Sequence, residues 1–243
     1  MSSVCAVCKY ETEKLLKSRK WMVPAILLIM YLGMSYSVGP LDILSSFGIC
    51  SLVVFLGMLA VFFMCNDIHA QTMDQTVFIR ISNKKSFYTG KVLLVGKVSM
   101  IGAAVSILVP VIQYVVNGKD FFTSSFTAGK GVSGFILFFL CGFCGGMTAL
   151  LLNDRLVPKK EASIALCILA ALLAIVKGGL HEKFPVTKLV SWVLPPLYDL
   201  SYAYSHGSDF LFRDTGIYFL WMLFYLVLQI LFYVWVMDKK RFE

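Results

Sequence analysis

Apolar residues in this chain are gathered into long unbroken runs, with polar residues confined to the gaps between them. Runs occur at about Trp21 to Val38, Leu44 to Cys65, Val92 to Val116, Val132 to Leu152, Ala162 to Leu180 and Gly216 to Met237. A bilayer core about 30 Å thick takes roughly 20 apolar residues per helix, and lipid offers the backbone no partner except itself. The pattern therefore predicts an all-α membrane protein with six transmembrane helices. Nothing along the chain marks a second domain, so residues 1–243 are expected to form a single transmembrane domain. Pro24, in the first turn of the first run, stands where a helix tolerates proline best.

Three gaps carry a pattern of their own. Residues 1–20 mix Glu11, Glu13, Lys14, Lys17 and Arg19 with Val4, Val7, Leu15 and Leu16. This reads as an amphipathic helix leading into the first span and not as a signal peptide, whose head is basic and free of acids. In the segment from Asn66 to Lys91, Ile68, Met73, Val77 and Ile81 recur at helical spacing while Asp67, Gln71, Asp74, Gln75 and Arg80 fall elsewhere on the wheel. That spacing suits an amphipathic helix on a membrane surface or against a partner, with a plain connecting loop as the alternative. From His181 to Thr215 the chain is polar enough to leave the bilayer yet rich in Trp192, Tyr198, Tyr202 and Tyr204. Amphipathic rings favour the interface, and Pro195 and Pro196 break the stretch, so short helices dipping into the outer leaflet are expected. Within the fourth run, Gly142 and Gly146 stand four apart, on one helical face, where two backbones can approach closely.

Composition agrees with a membrane protein: 58% of residues are hydrophobic and 15% charged, with a mean hydropathy of +0.79. The net charge of +8 does not point to nucleic acid, because its distribution follows the gaps. Lys9, Lys14, Lys17, Arg19, Lys20, Arg80, Lys84, Lys85, Lys91, Arg155, Lys159, Lys160, Lys239, Lys240 and Arg241 fall on one side of the predicted spans. Lys119, Lys130, Lys177, Lys183, Lys188 and Arg213 fall on the other, and Lys97 sits inside a span, near enough to its start for the long stem to reach back to the headgroups. The positive-inside rule then places both termini in the cytoplasm. Of the seven cysteines, Cys5 with Cys8 and Cys141 with Cys144 are closely spaced. The first pair belongs to the polar head and the second to an apolar helix, so reduced thiols used as small packing residues are expected rather than zinc ligands.

Reaction chemistry is sparse. Proton- and ion-coupled carriers keep carboxylates at membrane depth because only function justifies their cost there; here Gln113 and Gln229 are the main large polar residues inside the runs, and either can bridge helices. His69, His181 and His206 are scattered over both sides, and neither HExxH nor GxSxG occurs. The stretch GKVLLVGKV from Gly90 has five residues between its glycines where a phosphate-binding loop has four, and Val98 where that loop needs Ser or Thr. Neither enzyme activity nor a bound cofactor is expected.

In this order of features the chain resembles the type-2 permeases of ATP-binding cassette (ABC) exporters. Asp67 matches the acidic residue after the second span, Gln71-Thr72-Met73-Asp74 a Gly-Thr-Leu-Glu-like step, Asn83-Lys84-Lys85-Ser86 a basic turn, and Gly90-Lys91 the pair opening the third span. Gln71 replaces a glycine, the usual proline is absent with Ile81 near its place, and one residue is added between the two halves. The head Tyr10-Glu11-Thr12-Glu13-Lys14-Leu15-Leu16, a proline-containing outer segment and the basic tail from Asp238 extend the likeness over nearly the full length. The resemblance implies a half-transporter in the cell membrane of a bacterium, pairing with a second permease copy or paralogue. ATP and Mg would be held by a separate cytosolic ATPase subunit. Asn66 to Lys91 would be the coupling helix, with Asp67, Gln71, Thr72, Met73, Asp74, Val77, Arg80 and Ile81 meeting the ATPase together with Tyr10, Glu11 and Lys14. Trp192, Pro195, Pro196 and Tyr198 would form an outer gate, and antimicrobial peptides or drugs are recurrent cargoes. A membrane scaffold without transport, or an ion-coupled carrier, are the competing classes.

Overall fold

The computed structural model describes residues 3–66, 84–118, 121–152, 156–157, 159–183, 195–206 and 212–239, and among these the regular elements are helices joined by turns, with one isolated bridge between Leu41 and Phe122. Eight helices occur among the described residues: α1 Ser3–Ser18, α2 Met22–Ser35, α3 Ile43–Asn66, α4 Lys84–Asn117, α5 Ala128–Leu151, α6 Lys160–Lys183, α7 Leu197–His206 and α8 Phe212–Lys239. Four of them, α3, α4, α5 and α8, are long and apolar enough to cross a membrane. The chain is a helical membrane protein. The other two expected spans are also helices but stand outside that set: α2 has 14 residues, about 21 Å at 1.5 Å per residue, and α6 carries Lys160, Glu161, Lys177 and Lys183 within its length.

Helix α5 is the centre. Its small residues let neighbours close in from more than one side: a Cβ on Gly142 would meet Met58 and Val54 of α3, and one on Gly146 would meet Val95 of α4 at 2.5 Å and Phe62 of α3 at 2.9 Å. The tightest point is Gly145, where a Cβ would run into the main-chain carbonyl of Phe55. Gly142 and Gly146 thus do what their spacing predicts, and Gly145, on a neighbouring face, makes the backbone-to-backbone contact. Around α5, helix α8 buries Phe219, Met222, Leu226, Gln229, Tyr233 and Met237, a single stripe at helical period. Its opposite face, with Ile217, Leu220, Leu231 and Trp235, is exposed, as a lipid-facing surface is.

The helices alternate in direction, so the structure has two ends. Val7 of α1 packs on Gly90 near the start of α4, and Lys85 pairs with Asp238 at the close of α8. This is the head end. At the distal end the chain after α4 folds back over the α2–α3 link: Leu41 donates its N–H to the Phe121 carbonyl and accepts from Thr123 N–H. Asp42 begins α3 by accepting from the Ser45 N–H and hydroxyl at 3.0 and 2.7 Å, as an N-terminal cap does.

Several helix starts precede the expected ones, α5 at Ala128 and α8 at Phe212 by about a turn, while the division between the head helix and the first span falls where expected. Helix α4 starts at Lys84, about two turns before Val92, so the last residues of the expected coupling segment are already part of the third long helix. Gly90 does not end it, because Val7 is packed against that glycine. Helix α1 is set apart from α2 by Arg19, which takes a left-handed backbone at φ 54°, a conformation that L residues avoid within helices.

Glycine 145 gives a direct test. Gly145→Ala places a methyl against backbone that has no rotamer to yield, whereas Gly142→Ala meets side chains at 3.2 and 3.4 Å. We expect Gly145→Ala to cost about 2 kcal/mol or more and Gly142→Ala about 1 kcal/mol or less, read as thermal unfolding in detergent. Equal losses for both would count against Gly145 as the closest helix contact.

Candidate functional site

At the head end, α1 lies along the first turns of α4. It buries Val7, Cys8, Glu11 and Leu15, a face at i, i+4 and i+8, and leaves Lys9, Glu13, Leu16 and Lys17 exposed. The buried face includes a carboxylate, which a low-dielectric site tolerates only with compensation. Glu11 has it twice: Lys91 Nζ lies 3.7 Å from Oε1 and Lys14 Nζ 3.8 Å from Oε2. Lys91 also sits 4.9 Å over the Phe87 ring, and Phe87 and Tyr88 continue edge-to-face to Tyr233 of α8. The Lys85–Asp238 pair at 3.9 Å is exposed on the lysine side and adds little by itself.

This arrangement assigns positions to the head residues singled out in the sequence. Glu11 and Lys14 turn inward to α4, and Tyr10 is half-buried beside them. Their first contacts are intramolecular: they brace α1 against α4. Asp67, Gln71, Thr72, Met73, Asp74, Val77, Arg80 and Ile81 lie outside the described residues. The connection that contains them leaves α3 at Asn66 and enters α4 at Lys84, both at the head end, where Cys65 lies against Ser18 at the end of α1.

At the distal end, α7 is wedged among α3, α6 and α8. Pro195 and Pro196 are buried and Tyr198 is half-buried, its ring stacked on Tyr202 at 5.8 Å; Trp192 lies outside the described residues. Ser201 fixes α7 to α3 by donating to the Gly48 carbonyl at 2.8 Å, a contact that only glycine at position 48 leaves room for. Tyr204 is buried against Phe219. Burial raises its phenol pKa well above the ordinary value, against the opposing contact with Ser133, so it stays neutral at any physiological pH. Lys177 of α6, itself almost fully buried, holds Asp199 Oδ2 at 2.5 Å. Beyond Asp199 is a depression of about 410 Å³ lined, among the described residues, by Asp199, Ile217, Tyr218, Leu220 and Trp221.

Two features here were not legible in the sequence. Phe122 and Phe126 read as part of a Gly- and Ser-rich outer turn, but they pack with Tyr36 and Tyr114 into an aromatic cluster at the distal mouth. Lys177 read as one more outer lysine, with no signal to mark its partner. In mid-bundle, Gln229 donates to Thr148 Oγ1 at 3.1 Å and accepts from the Cys144 thiol at 3.7 Å, so it does bridge helices. Gln113 instead accepts from Asn117 at 2.5 Å, on its own helix. Cys5 and Cys8 sit on α1 and Cys141 and Cys144 on α5, and all four are free thiols. No family model and no curated protein matches the chain.

Chemically, the ion pairs stand at the two ends, Lys97 is an exposed cation within α4, and the buried polar groups between the ends are neutral. If Glu11 braces α1 through Lys91, Glu11→Lys places three cations together and releases α1, costing about 2 kcal/mol. The exchange Glu11→Lys with Lys91→Glu recovers much of the loss. Hydrogen exchange over residues 3–18 reads the release, and no recovery in the exchanged pair would argue against the ion pair as the brace.

Proposed function

We propose that this chain is the permease subunit of an ATP-driven exporter of the ATP-binding cassette class, working with a separate cytosolic ATPase and a second permease copy or paralogue. ATP and Mg belong to the partner, since the chain has no phosphate-binding loop of its own. Its cargo is amphipathic or hydrophobic, of the kind represented by antimicrobial peptides and drugs. The observation that carries this reading is the convergence at the head end. Helix α1 is locked to the start of α4 through Gly90 and the Glu11–Lys91 pair, and the 67–83 connection leaves and enters the bundle beside it.

A subunit seated on that connection pulls on α3 and α4 together. Both helices grip α5 at its glycines, so the pull is passed on as a rigid-body shift of packed helices rather than absorbed by local bending. The absence of Asp and Glu within α3, α4 and α5 leaves no carboxylate relay for an ion gradient in those helices, and supports an energy source outside the chain. The six-span topology with cytoplasmic termini, the coupling role of 67–83 and an outer gate at Trp192, Pro195, Pro196 and Tyr198 are parts of the same proposal.

Tagged protein extracted from its native host in mild detergent should bring down a soluble chain with Walker motifs. Replacing Met73, Val77 and Ile81 by Asp should abolish that recovery while leaving the protein inserted. Charge reversal at Asp74 and Arg80 should lower cargo-stimulated ATPase activity several-fold without loss of the complex. Repeated recovery of no ATPase, in preparations where other membrane complexes survive, would move the assignment to a scaffold or a carrier.

A further inference from the structure

Asp199 is bound on one side only. Lys177 holds Oδ2 from within the bundle, while Oδ1 has no partner among the described residues and the side chain is 32% exposed at the wall of the depression between α7 and α8. A carboxylate at the edge of an apolar surface, with one oxygen uncommitted, is a strong acceptor for a charged donor. The remaining lining is apolar or aromatic, and Tyr218 and Trp221 supply ring faces of the kind that attract ammonium groups. Below the depression, Leu220, Phe224 and Leu228 follow one another at four-residue spacing on α8, all exposed, and so form one stripe toward the bundle's middle.

We infer that this depression is a binding site for an amphiphile with an ammonium head and an apolar chain. The head rests between Asp199 Oδ1 and the Tyr218 and Trp221 rings, and the chain lies along Leu220, Phe224 and Leu228. Lys177 positions the site: buried beneath Asp199 and holding Oδ2, it leaves Oδ1 for the depression, and that carboxylate oxygen, the only charged group lining the depression among the described residues, favours a cationic head over an anionic one. The same chemistry belongs to an aminophospholipid of the bilayer or to a free amphipathic cation. The site needs no ATPase and no transport step, so it stands or falls separately from the exporter reading.

The test uses the full chain in nanodiscs of phosphatidylglycerol, which carries no amine. The probes are the trimethylammonium derivative of diphenylhexatriene and its uncharged parent dye, followed by energy transfer from tryptophan. The charged dye should bind saturably and more tightly than the parent. Asp199→Asn should weaken it about tenfold, the effect of one lost charge-assisted contact, and leave the parent dye unchanged. Because that variant strands Lys177, the double replacement Lys177→Met with Asp199→Leu, which closes the pair with apolar groups, should show the same loss in a folded protein. Equal binding of the two dyes to the unaltered protein, or undiminished binding in both Asp199 variants, overturns the inference. Added phosphatidylethanolamine that competes with the dye identifies a lipid headgroup as the resident, and absence of competition identifies a free cation.

Discussion

The close approach of α5 to its neighbours is the contact on which the rest of this structure depends. Within a bilayer, apolar side chains gain little by leaving lipid for one another, so helix association rests on tight van der Waals packing and on hydrogen bonds between helices. Gly145 against the Phe55 carbonyl, with Gly142 and Gly146 on either side, supplies the first. The Gln229–Thr148–Cys144 set supplies the second and ties α8 to the same helix. Once α3, α4 and α8 are fixed on α5, the two ends of the bundle are defined and the short helices have surfaces to rest on.

Charge is distributed according to what each depth tolerates. A buried charge costs several kcal/mol unless it is matched, and among the described residues two ion pairs with a buried member lie at opposite ends: Glu11 with Lys91 under α1, and buried Lys177 with partly exposed Asp199 under α7. Each attaches a shorter helix to a longer one, α1 to α4 and α7 to α6. The buried polar groups of the bundle's middle are neutral, and many of its hydroxyls turn back on their own helices: Ser51 donates to Gly48, Ser106 to Gly102 and Thr148 to Cys144. Such bonds satisfy a polar side chain without a partner helix, so they permit burial but add no specificity between helices.

The two ends therefore differ in what they present. The head end offers the outer face of α1, with Lys9, Glu13, Leu16 and Lys17 exposed. The distal end is closed by rings: Tyr36, Tyr114, Phe122 and Phe126 on one side and α7 on the other. Beside α7 the surface opens sideways at Asp199, toward the face of α8 that lipid covers.

Hydrophobic run length by itself marked an all-helical chain of the membrane class and the four helices long and apolar enough to cross, because a helix that cannot borrow hydrogen bonds from lipid must be apolar over its whole crossing. The spacing of Gly142 and Gly146 likewise marked α5 as a close-packing helix before any contact was known. Only the tertiary structure decided which residues meet. Glu11 and Lys91 are 80 positions apart in the chain, and nothing local to either names the other. Gly145 became the tightest contact because α3 crosses α5 at Phe55, and Phe122 and Phe126 left a polar turn for an aromatic cluster because that turn folds back over Leu41. Pairings of this kind depend on how the helices are arranged around α5, and an apolar run of the right length is compatible with many such arrangements.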